Sequence, residues 1–223
     1  MKKRDIVFAS MALFFLVFFI IWSVLVSRHT LDGFDMAVVN GVVAIRGEKG
    51  GPMYWFCRIF TELGFVYVIV GIIIIFLITC KADLKSIFLG LGVGVTYLAN
   101  MVVKLIIERP RPPLEFRWMT ESSMSYPSSH TMCTTFFYGF IIYIILTSKL
   151  HKKLKMALAS LAIIVIPLVA MTRVFLSVHY FSDVIGGFSF GLVLLFGAII
   201  LYEMLKKRDF NGFKNMIERR KGE

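Results

Sequence analysis

The chain has 223 residues, 58% of them hydrophobic and 17% charged, and its mean hydropathy is +0.79. A soluble domain of this length carries far less apolar sequence, so the composition excludes the soluble classes and indicates a membrane protein. The formal charge of +11 would also fit nucleic-acid binding. Its distribution along the chain favours another explanation.

Six apolar stretches are long enough to cross a bilayer as helices of about 20 residues. They cover roughly 6–27, 59–80, 86–108, 129–147, 156–173 and 182–205. The first follows basic residues, as a secretory signal does, but it is too long and no small-residue cleavage site follows it. We therefore predict an all-α, six-transmembrane-helix bundle over 1–205 and a basic, mobile or surface-bound cytoplasmic tail over 206–223.

The basic residues lie mainly on one side of this predicted bundle. With the N-terminus in the cytoplasm, sixteen of the 25 Lys and Arg fall inside, in the N-terminal segment, the 81–85 turn, the 149–155 turn and the tail. Cytoplasmic loops carry such an excess. We expect an integral plasma-membrane protein with both termini in the cytoplasm, the lipid bilayer as partner and no nucleic acid.

A short interfacial helix is predicted between the first two spans, because Leu31, Phe34, Val38, Val42 and Ile45 recur at three- and four-residue steps. Glycines at 90, 94, 187 and 191 favour close helix packing. Cys57, Cys80 and Cys133 are scattered without metal-binding or paired spacing, so we interpret them as small buried hydrophobic residues.

Seven polar residues from separate pieces of chain reach the same outer boundary, where intramembrane charge is costly and usually functional. They are Lys104, Arg111, Ser128, Ser129, His130, Arg173 and His179. Cations, hydroxyls and the free N–H groups of a helix start form an anion site, and phosphate fits it. Ser128 is placed to act as the N-cap of the fourth span.

Two histidines at an anion site point beyond binding to phosphoryl transfer, since imidazole attacks or donates protons near neutral pH. His179 and Asp183 are spaced i, i+4, which predicts that they share one helix face. The carboxylate would then orient the ring and leave its other nitrogen free as nucleophile. His130 would donate the proton to the leaving group.

These residues resemble the three signature motifs of the type 2 phosphatidic acid phosphatase superfamily. The motifs are K-x6-R-P at Lys104, Arg111 and Pro112, PSSH at 127–130, and R-x5-H-x3-D at Arg173, His179 and Asp183. The resemblance covers about residues 5–205. It implies a metal-independent phosphatase without cofactors, its active site facing outside, in which His179 is transiently phosphorylated, Asp183 orients it and His130 protonates the leaving oxygen.

The resemblance further implies that Lys104, Arg111, Ser128, Ser129 and Arg173 hold the phosphate. The substrate would be a lipid phosphate or pyrophosphate, and bacterial members act on undecaprenyl pyrophosphate, phosphatidylglycerol phosphate or phosphatidic acid. No obligate protein partner is implied. Two alternatives stay open, a lipid phosphotransferase using the same phosphohistidine and a non-catalytic lipid-phosphate binder or transporter.

Several residues outside or beside the motifs receive plainer interpretations. The motifs usually have Gly and Ser where this chain has Ser129 and Thr172. Arg109 and Arg117 fall outside the motif positions and are interpreted as surface charge or headgroup contacts. The aromatic residues Trp55, Trp118 and Tyr126 are interpreted as an interfacial belt.

Overall fold

The computed structural model of the chain describes residues 3–79 and 83–221, the part after 207 by its backbone alone. All regular structure in this range is helical, in agreement with the predicted fold class. The α-helices are α1 Lys3–Ser27, α2 Asp32–Ile45, α3 Pro52–Thr61, α4 Val66–Thr79, α5 Leu84–Ile107, α6 Ser129–Thr147, α7 Lys152–Phe175 and α8 Phe181–Lys221. The predictions that involve Lys2, Cys80 and Lys81 lie outside the described residues.

Five of these helices are long and apolar enough to span a membrane, namely α1, α5, α6, α7 and the part of α8 up to Lys207. The stretch predicted as one helix over 59–80 is instead a pair, α3 and α4, bent by 45°. A 3-10 turn at Glu62–Gly64 and the extended backbone of Phe65 interrupt the helix. If this pair counts as one span, the chain has the six that the sequence predicts.

The 3-10 turn packs tightly against the bundle. A Cβ atom at Gly64 would lie 2.7 Å from the Val169 side chain and 2.9 Å from that of Thr134. Glycine is thus required for this close approach. The predicted end of the last span at 205 also changes, because α8 continues as a helix to Lys221.

Helix α6 forms the centre of the bundle. In its most apolar stretch 56% of the residues are buried, against 11% in α1. Helix α6 packs against α5, α7 and α8. The predicted packing through Gly187 and Gly191 is confirmed, since Cβ atoms there would lie 2.6 Å from the Ser128 carbonyl and 2.8 Å from that of Met132. Helix α8 thus lies directly against the first turns of α6.

Glycine packing in α5 differs from the prediction. Gly90 makes a close contact, with its Cβ position 3.3 Å from Ile73, but Gly94 has nothing within 4 Å. The tightest approach is at Gly92, where a Cβ atom would lie 2.1 Å from the ring of Phe136. The prediction for Gly94 is wrong because that residue faces away from its neighbours.

The predicted short helix between the first two spans is present as α2. Two of the three aromatic residues predicted to form an interfacial belt are instead buried. Tyr126 and Trp118 are 0% and 6% exposed, whereas Trp55 is 55% exposed. The Tyr126 hydroxyl shares a 2.8 Å hydrogen bond with Ser23 of α1. Trp118 packs over the guanidinium of Arg46 at 4.2 Å. The hydrogen bond of Tyr126 and the cation–π contact of Trp118 accompany the burial of both rings.

Candidate active site

The motif residues surround a pocket of about 220 Å³ at one end of the bundle. Five of the eight predicted site residues line it: Arg111, Ser129, His130, Arg173 and His179. The other three, Lys104, Ser128 and Asp183, contact the segments that form the pocket wall. The structure therefore brings the whole predicted set together, with five residues lining the pocket and three behind its wall.

His179 lies in the loop between α7 and α8 and is 1% exposed. His179 lines the pocket, and its Nε2 atom lies at hydrogen-bonding distance, 3.3 Å, from Nη1 of Arg111. Burial lowers the pKa of His179 well below the ordinary histidine value, and the positive charges of Arg111, Arg173 and Lys104 lower it further. The ring is therefore neutral near pH 7, as a nitrogen nucleophile must be.

Asp183 and His179 are close, although not through shared helix geometry. Because α8 begins only at Phe181, His179 precedes the helix, and its Nδ1 atom lies 3.5 Å from Oδ2 of Asp183. The Ser125 hydroxyl stands beside both groups, donating to Asp183 Oδ2 at 2.5 Å and lying 3.4 Å from His179 Nδ1. Because the Ser125 hydroxyl donates its proton to the carboxylate, its oxygen can accept a hydrogen bond from Nδ1–H of His179. In this tautomer of the ring the lone pair is on Nε2.

Arg109 holds the other face of Asp183, so its interpretation as surface charge or headgroup contact is wrong. Its side chain is 4% exposed, and Nη1 donates to Asp183 Oδ1 at 2.8 Å. Nη2 donates to Asp35 Oδ2 at 2.7 Å. Burial alone would lower the pKa of Arg109, but the two carboxylates outweigh it and raise the pKa. The partners come from α2 and α8, far from Arg109 in sequence.

Arg111 and Lys104 bind the backbone of the 123–125 segment beneath His179. Arg111 Nε donates to the Ser123 carbonyl at 2.6 Å, and Lys104 Nζ donates to the carbonyls of Met124 and Ser125. Burial lowers the pKa of Arg111 to about 10; the nearby carboxylate of Glu121 opposes this shift. Arg117, the other arginine outside the motifs, donates to the Pro112 carbonyl at 2.5 Å within its own loop.

Arg173 is fully buried and faces the pocket from the end of α7. One of its terminal nitrogens pairs with the carboxylate of Glu121, and the other donates to Thr61 Oγ1 at 3.0 Å. Its Nε atom has no hydrogen-bond partner within the described part of the chain. Arg173 thus already binds one anionic group, and it retains a buried donor.

His130 lies in the first turn of α6, with its ring edge-on to Phe65 at 4.5 Å. Its Nε2 atom is buried and has no hydrogen-bond partner among residues 3–79 and 83–207. The predicted N-cap is confirmed, because Ser128 Oγ accepts from the Thr131 amide at 3.4 Å. An imidazole nitrogen without a partner beside a cationic pocket is available for proton transfer to a ligand.

The chain is similar to known proteins of one family. The family model described as PAP2 superfamily matches residues 85–207. The chain is 31% identical over 194 residues to phosphatidylglycerophosphatase B of Bacillus subtilis (strain 168), covering 81% of this chain and 89% of that protein. The chain belongs to the PAP2 superfamily. It is an integral membrane phosphatase.

Two further comparisons extend the PAP2 assignment. The crystal structure of a transmembrane PAP2 type phosphatidylglycerolphosphate phosphatase from Bacillus subtilis superposes with a TM-score of 0.75 at 28% identity, covering 88% of this chain and 96% of that one. Lipid phosphate phosphatase delta of Arabidopsis thaliana is 29% identical over 110 residues, which are 44% of this chain and 26% of the plant protein. The likeness to the solved structure extends over nearly the whole bundle.

Both positions where this PAP2 chain departs from the motifs have defined partners. Ser129 Oγ donates to Asn100 Oδ1 at 2.5 Å, and Asn100 Nδ2 donates to the Pro127 carbonyl at 3.1 Å. Thr172 Oγ1 donates to the Val169 carbonyl of its own helix at 2.6 Å. Ser129 is thus held by α5, and the hydroxyl of Thr172 is not directed at the pocket.

Four residues of this PAP2 site were absent from the predicted set: Ser125, Asn100, Glu121 and Arg109. Of these four, only Asn100 could have been recognised from the sequence, because a polar amide inside an apolar span indicates a functional position. Within the described residues no three His, Cys, Asp or Glu side chains group closely enough to hold a metal ion. Metal-independent hydrolysis stays a prediction.

Proposed function

We propose that this protein hydrolyses lipid phosphates through a phosphohistidine formed at Nε2 of His179. The coarser statement, a membrane lipid phosphatase, rests on PAP2 membership and on the named relatives. One observation carries the mechanism. His179 lines a cationic pocket, where its Nε2 atom meets Arg111, while Ser125 and Asp183 engage the opposite ring nitrogen.

In the first step the Nε2 lone pair attacks phosphorus and the bond from phosphorus to the lipid oxygen breaks. The leaving oxygen takes its proton from His130, whose Nε2 is buried beside the same pocket. The positive charges of Arg111, Arg173 and Lys104 stabilise the phosphoryl oxygens. The Nδ1 proton stays on the ring, directed at Ser125 and Asp183.

In the second step water attacks phosphorus and the P–N bond breaks. His130, now neutral, accepts a proton from this water, so inorganic phosphate leaves and both histidines return to their starting states. The amide ends of the first turn of α6 face the phosphate from Ser129 and His130. Ser128 caps the helix through the Thr131 amide, and the amides of Ser129 and His130 have no partner within the helix because they lie in its first turn.

The orientation in the membrane follows from charge. Sixteen of the 25 basic residues fall in the sequence segments that this topology assigns to the side of the termini, which supports cytoplasmic termini and an outward-facing pocket. The apolar tail of the substrate would stay in the bilayer while its headgroup enters from the side. Phosphatidylglycerol phosphate is the first substrate to test, because the Bacillus subtilis relative and the Bacillus subtilis crystal structure are both named for it.

The test is phosphate release by detergent-purified protein with EDTA present. Phosphatidylglycerol phosphate, phosphatidic acid and undecaprenyl pyrophosphate are assayed in parallel, with His179→Ala as the blank. We expect release from at least one lipid, absent from the variant. Labelled substrate should leave acid-labile, base-stable label on the wild type, and label that persists on His179→Ala would overturn the assignment of the nucleophile.

Two other outcomes have defined meanings. Release that requires an added acceptor would identify a phosphotransferase. Lipid movement without any phosphate release, unchanged in His179→Ala, would identify a binder or transporter. A rate that collapses in EDTA and returns with Mg²⁺ would contradict the metal-independent mechanism.

A further inference from the structure

Helix α2 reaches the immediate neighbours of Asp183 from outside the pocket, through a buried carboxylate. Asp35 is 0% exposed, and its Oδ2 accepts from Arg109 Nη2 at 2.7 Å and from Ser182 Oγ at 2.5 Å. Its Oδ1 accepts from the Ser182 amide at 3.0 Å. All three hydrogen bonds therefore end on Arg109 or on the residue immediately before Asp183.

Arg109 carries this contact on to Asp183. The guanidinium binds Asp35 with Nη2 and Asp183 Oδ1 with Nη1, at 2.8 Å, while Nη1 also donates to Ser182 Oγ at 2.6 Å. The two buried carboxylates thus share one planar fork, which fixes their relative orientation. With Oδ1 held in this way, Oδ2 of Asp183 is the atom that faces His179 and Ser125.

The other end of α2 binds the same catalytic loop. Arg46, the C-cap of α2, donates from Nη1 to Ser177 Oγ at 2.7 Å and to the Phe175 carbonyl at 2.8 Å. Its Nη2 donates to the Phe116 carbonyl at 2.5 Å. Ser177 adopts a left-handed backbone with φ of 50°, a conformation that a non-glycine residue keeps only with support from its surroundings.

We propose that α2 is a positioning helix and that Asp35 is a positioning residue, which acts through Arg109 and Ser182 to hold the carboxylate of Asp183 against His179. The proposal rests on the proposed phosphohistidine function. Attachment of α2 to the bundle does not itself need these charges, since Val42 already packs against Val174 and Val184. Buried ion pairs seldom stabilise a fold more than apolar residues do, so orientation is the better reason for them.

The first variant is Asp35→Asn, which keeps the shape of the side chain and removes its charge. We expect kcat to fall about 10- to 100-fold, as substitutions behind a directly acting group commonly cause. The Michaelis constant should change less than about twofold, because neither Asp35 nor Arg109 lines the pocket. Phosphatidylglycerol phosphate in detergent micelles is the substrate, and activity is expressed per folded protein.

Asp32→Asn is the matched control. Asp32 lies in the same helix and contacts the same nitrogen of Arg109 at 3.1 Å, but its side chain is 47% exposed. Because this carboxylate is about half exposed, its pairing with Arg109 contributes less than that of the buried Asp35, so this variant should keep a kcat close to that of the wild type. Ser182→Ala is a second test that retains every charge and removes one hydroxyl bonded to Asp35; a smaller fall of kcat in the same direction is expected.

A double-mutant cycle separates positioning from general destabilisation. If Asp35 acts through Asp183, Asp35→Asn lowers the single-turnover rate of the wild type but not that of Asp183→Asn. A purely structural role would lower both rates by the same factor. An unchanged kcat in folded Asp35→Asn, or losses that multiply in the cycle, would overturn the proposal.

A readout without turnover keeps this test distinct from that of the proposed function. Hydrogen exchange of the backbone over residues 177–184 should be faster in Asp35→Asn than in Asp32→Asn. Equal exchange would overturn the anchoring by α2 whether or not the protein is a phosphatase. If the wild type releases no phosphate but exchange is still faster in Asp35→Asn than in Asp32→Asn, the proposed function alone is contradicted.

Discussion

Nη1 of Arg111 donates a hydrogen bond of 3.3 Å to Nε2 of His179, so a cation faces the lone pair of this ring nitrogen. The Val178 carbonyl holds the same Nη1 atom at 2.6 Å. The contact has two effects. It adds to burial in lowering the pKa of His179, and it places a guanidinium where a phosphoryl oxygen would arrive.

Removing this cation should move the pH dependence of the reaction. Without the charge of Arg111, the pKa of His179 rises toward its ordinary value, because one of the groups that lowers it is gone. The neutral ring is the reactive form, so the acid limb of kcat/KM should shift to higher pH in Arg111→Gln. The measurement is a pH profile between about pH 5 and 8, around the ordinary histidine pKa.

The other charged groups near His179 are Lys104, Arg173 and Asp183, and they are unchanged in this comparison. Arg117→Gln is the matched control, since Arg117 donates to a carbonyl of its own loop and does not line the pocket. The overall rate of Arg111→Gln falls as well, and only the position of the limb is diagnostic. A limb that stays in place or moves to lower pH would contradict the prediction.

Ser125→Ala should reduce kcat by about 10- to 100-fold. The variant removes the hydroxyl that stands between Asp183 Oδ2 and His179 Nδ1, and the direct distance of 3.5 Å is too long for a good hydrogen bond. Rapid-quench measurement of phosphohistidine formation should show the loss in the first step. Ser189→Ala, a buried serine that bonds within α8, should keep the wild-type rate.

The sequence was sufficient for the motif residues because each is a polar group at the end of an apolar span. It was not sufficient for Asp35, which lies in α2 at a position that a helical pattern leaves polar, 148 residues before the aspartate with which it shares Arg109. Arg109 itself resembled any basic residue near a membrane surface. Only the fold brings three acidic side chains to it.

Packing explains the remaining differences. Phe65 interrupts the second span because the preceding turn must fit Gly64 against α6 and α7, a requirement that hydropathy does not register. Tyr126 and Trp118 are buried because partners from distant segments bind them. Gly92 and Gly94 are two residues apart in α5 and so lie on different faces of the helix, and only Gly92 faces the ring of Phe136.

Asn100→Ala should lower kcat/KM by about 10- to 100-fold, since small displacements at a reacting centre have effects of this size. The amide holds the start of α6 through both Ser129 Oγ and the Pro127 carbonyl. Thr96→Val is the control one turn away in α5, where the hydroxyl bonds only to its own helix. Equal activities of the two variants would show that α6 needs no support from Asn100.

Gly187→Ala should destabilise the protein by about 1–3 kcal/mol through overpacking. The new methyl group would lie 2.6 Å from the Ser128 carbonyl, so it must displace the start of α6 and lower activity too. Gly197→Ala in the same helix has nothing within 4 Å and should be neutral or stabilising. The measurement is thermal unfolding in detergent. Equal midpoints for Gly187→Ala and Gly197→Ala would contradict the close packing of Gly187 against α6.

Asp183 joins two helices as well as orienting His179. Its carbonyl accepts from the Ser128 amide at 3.1 Å, and its side chain accepts from the Tyr180 amide at 2.8 Å at the start of α8. The bond to the carbonyl is made by the backbone, so every substitution retains it. The bond to the Tyr180 amide needs the side chain, so Asp183→Ala loses it. Inactivity of Asp183→Ala would therefore mix lost chemistry with a loosened helix start, and Asp183→Asn is the substitution whose kinetics report on the charge.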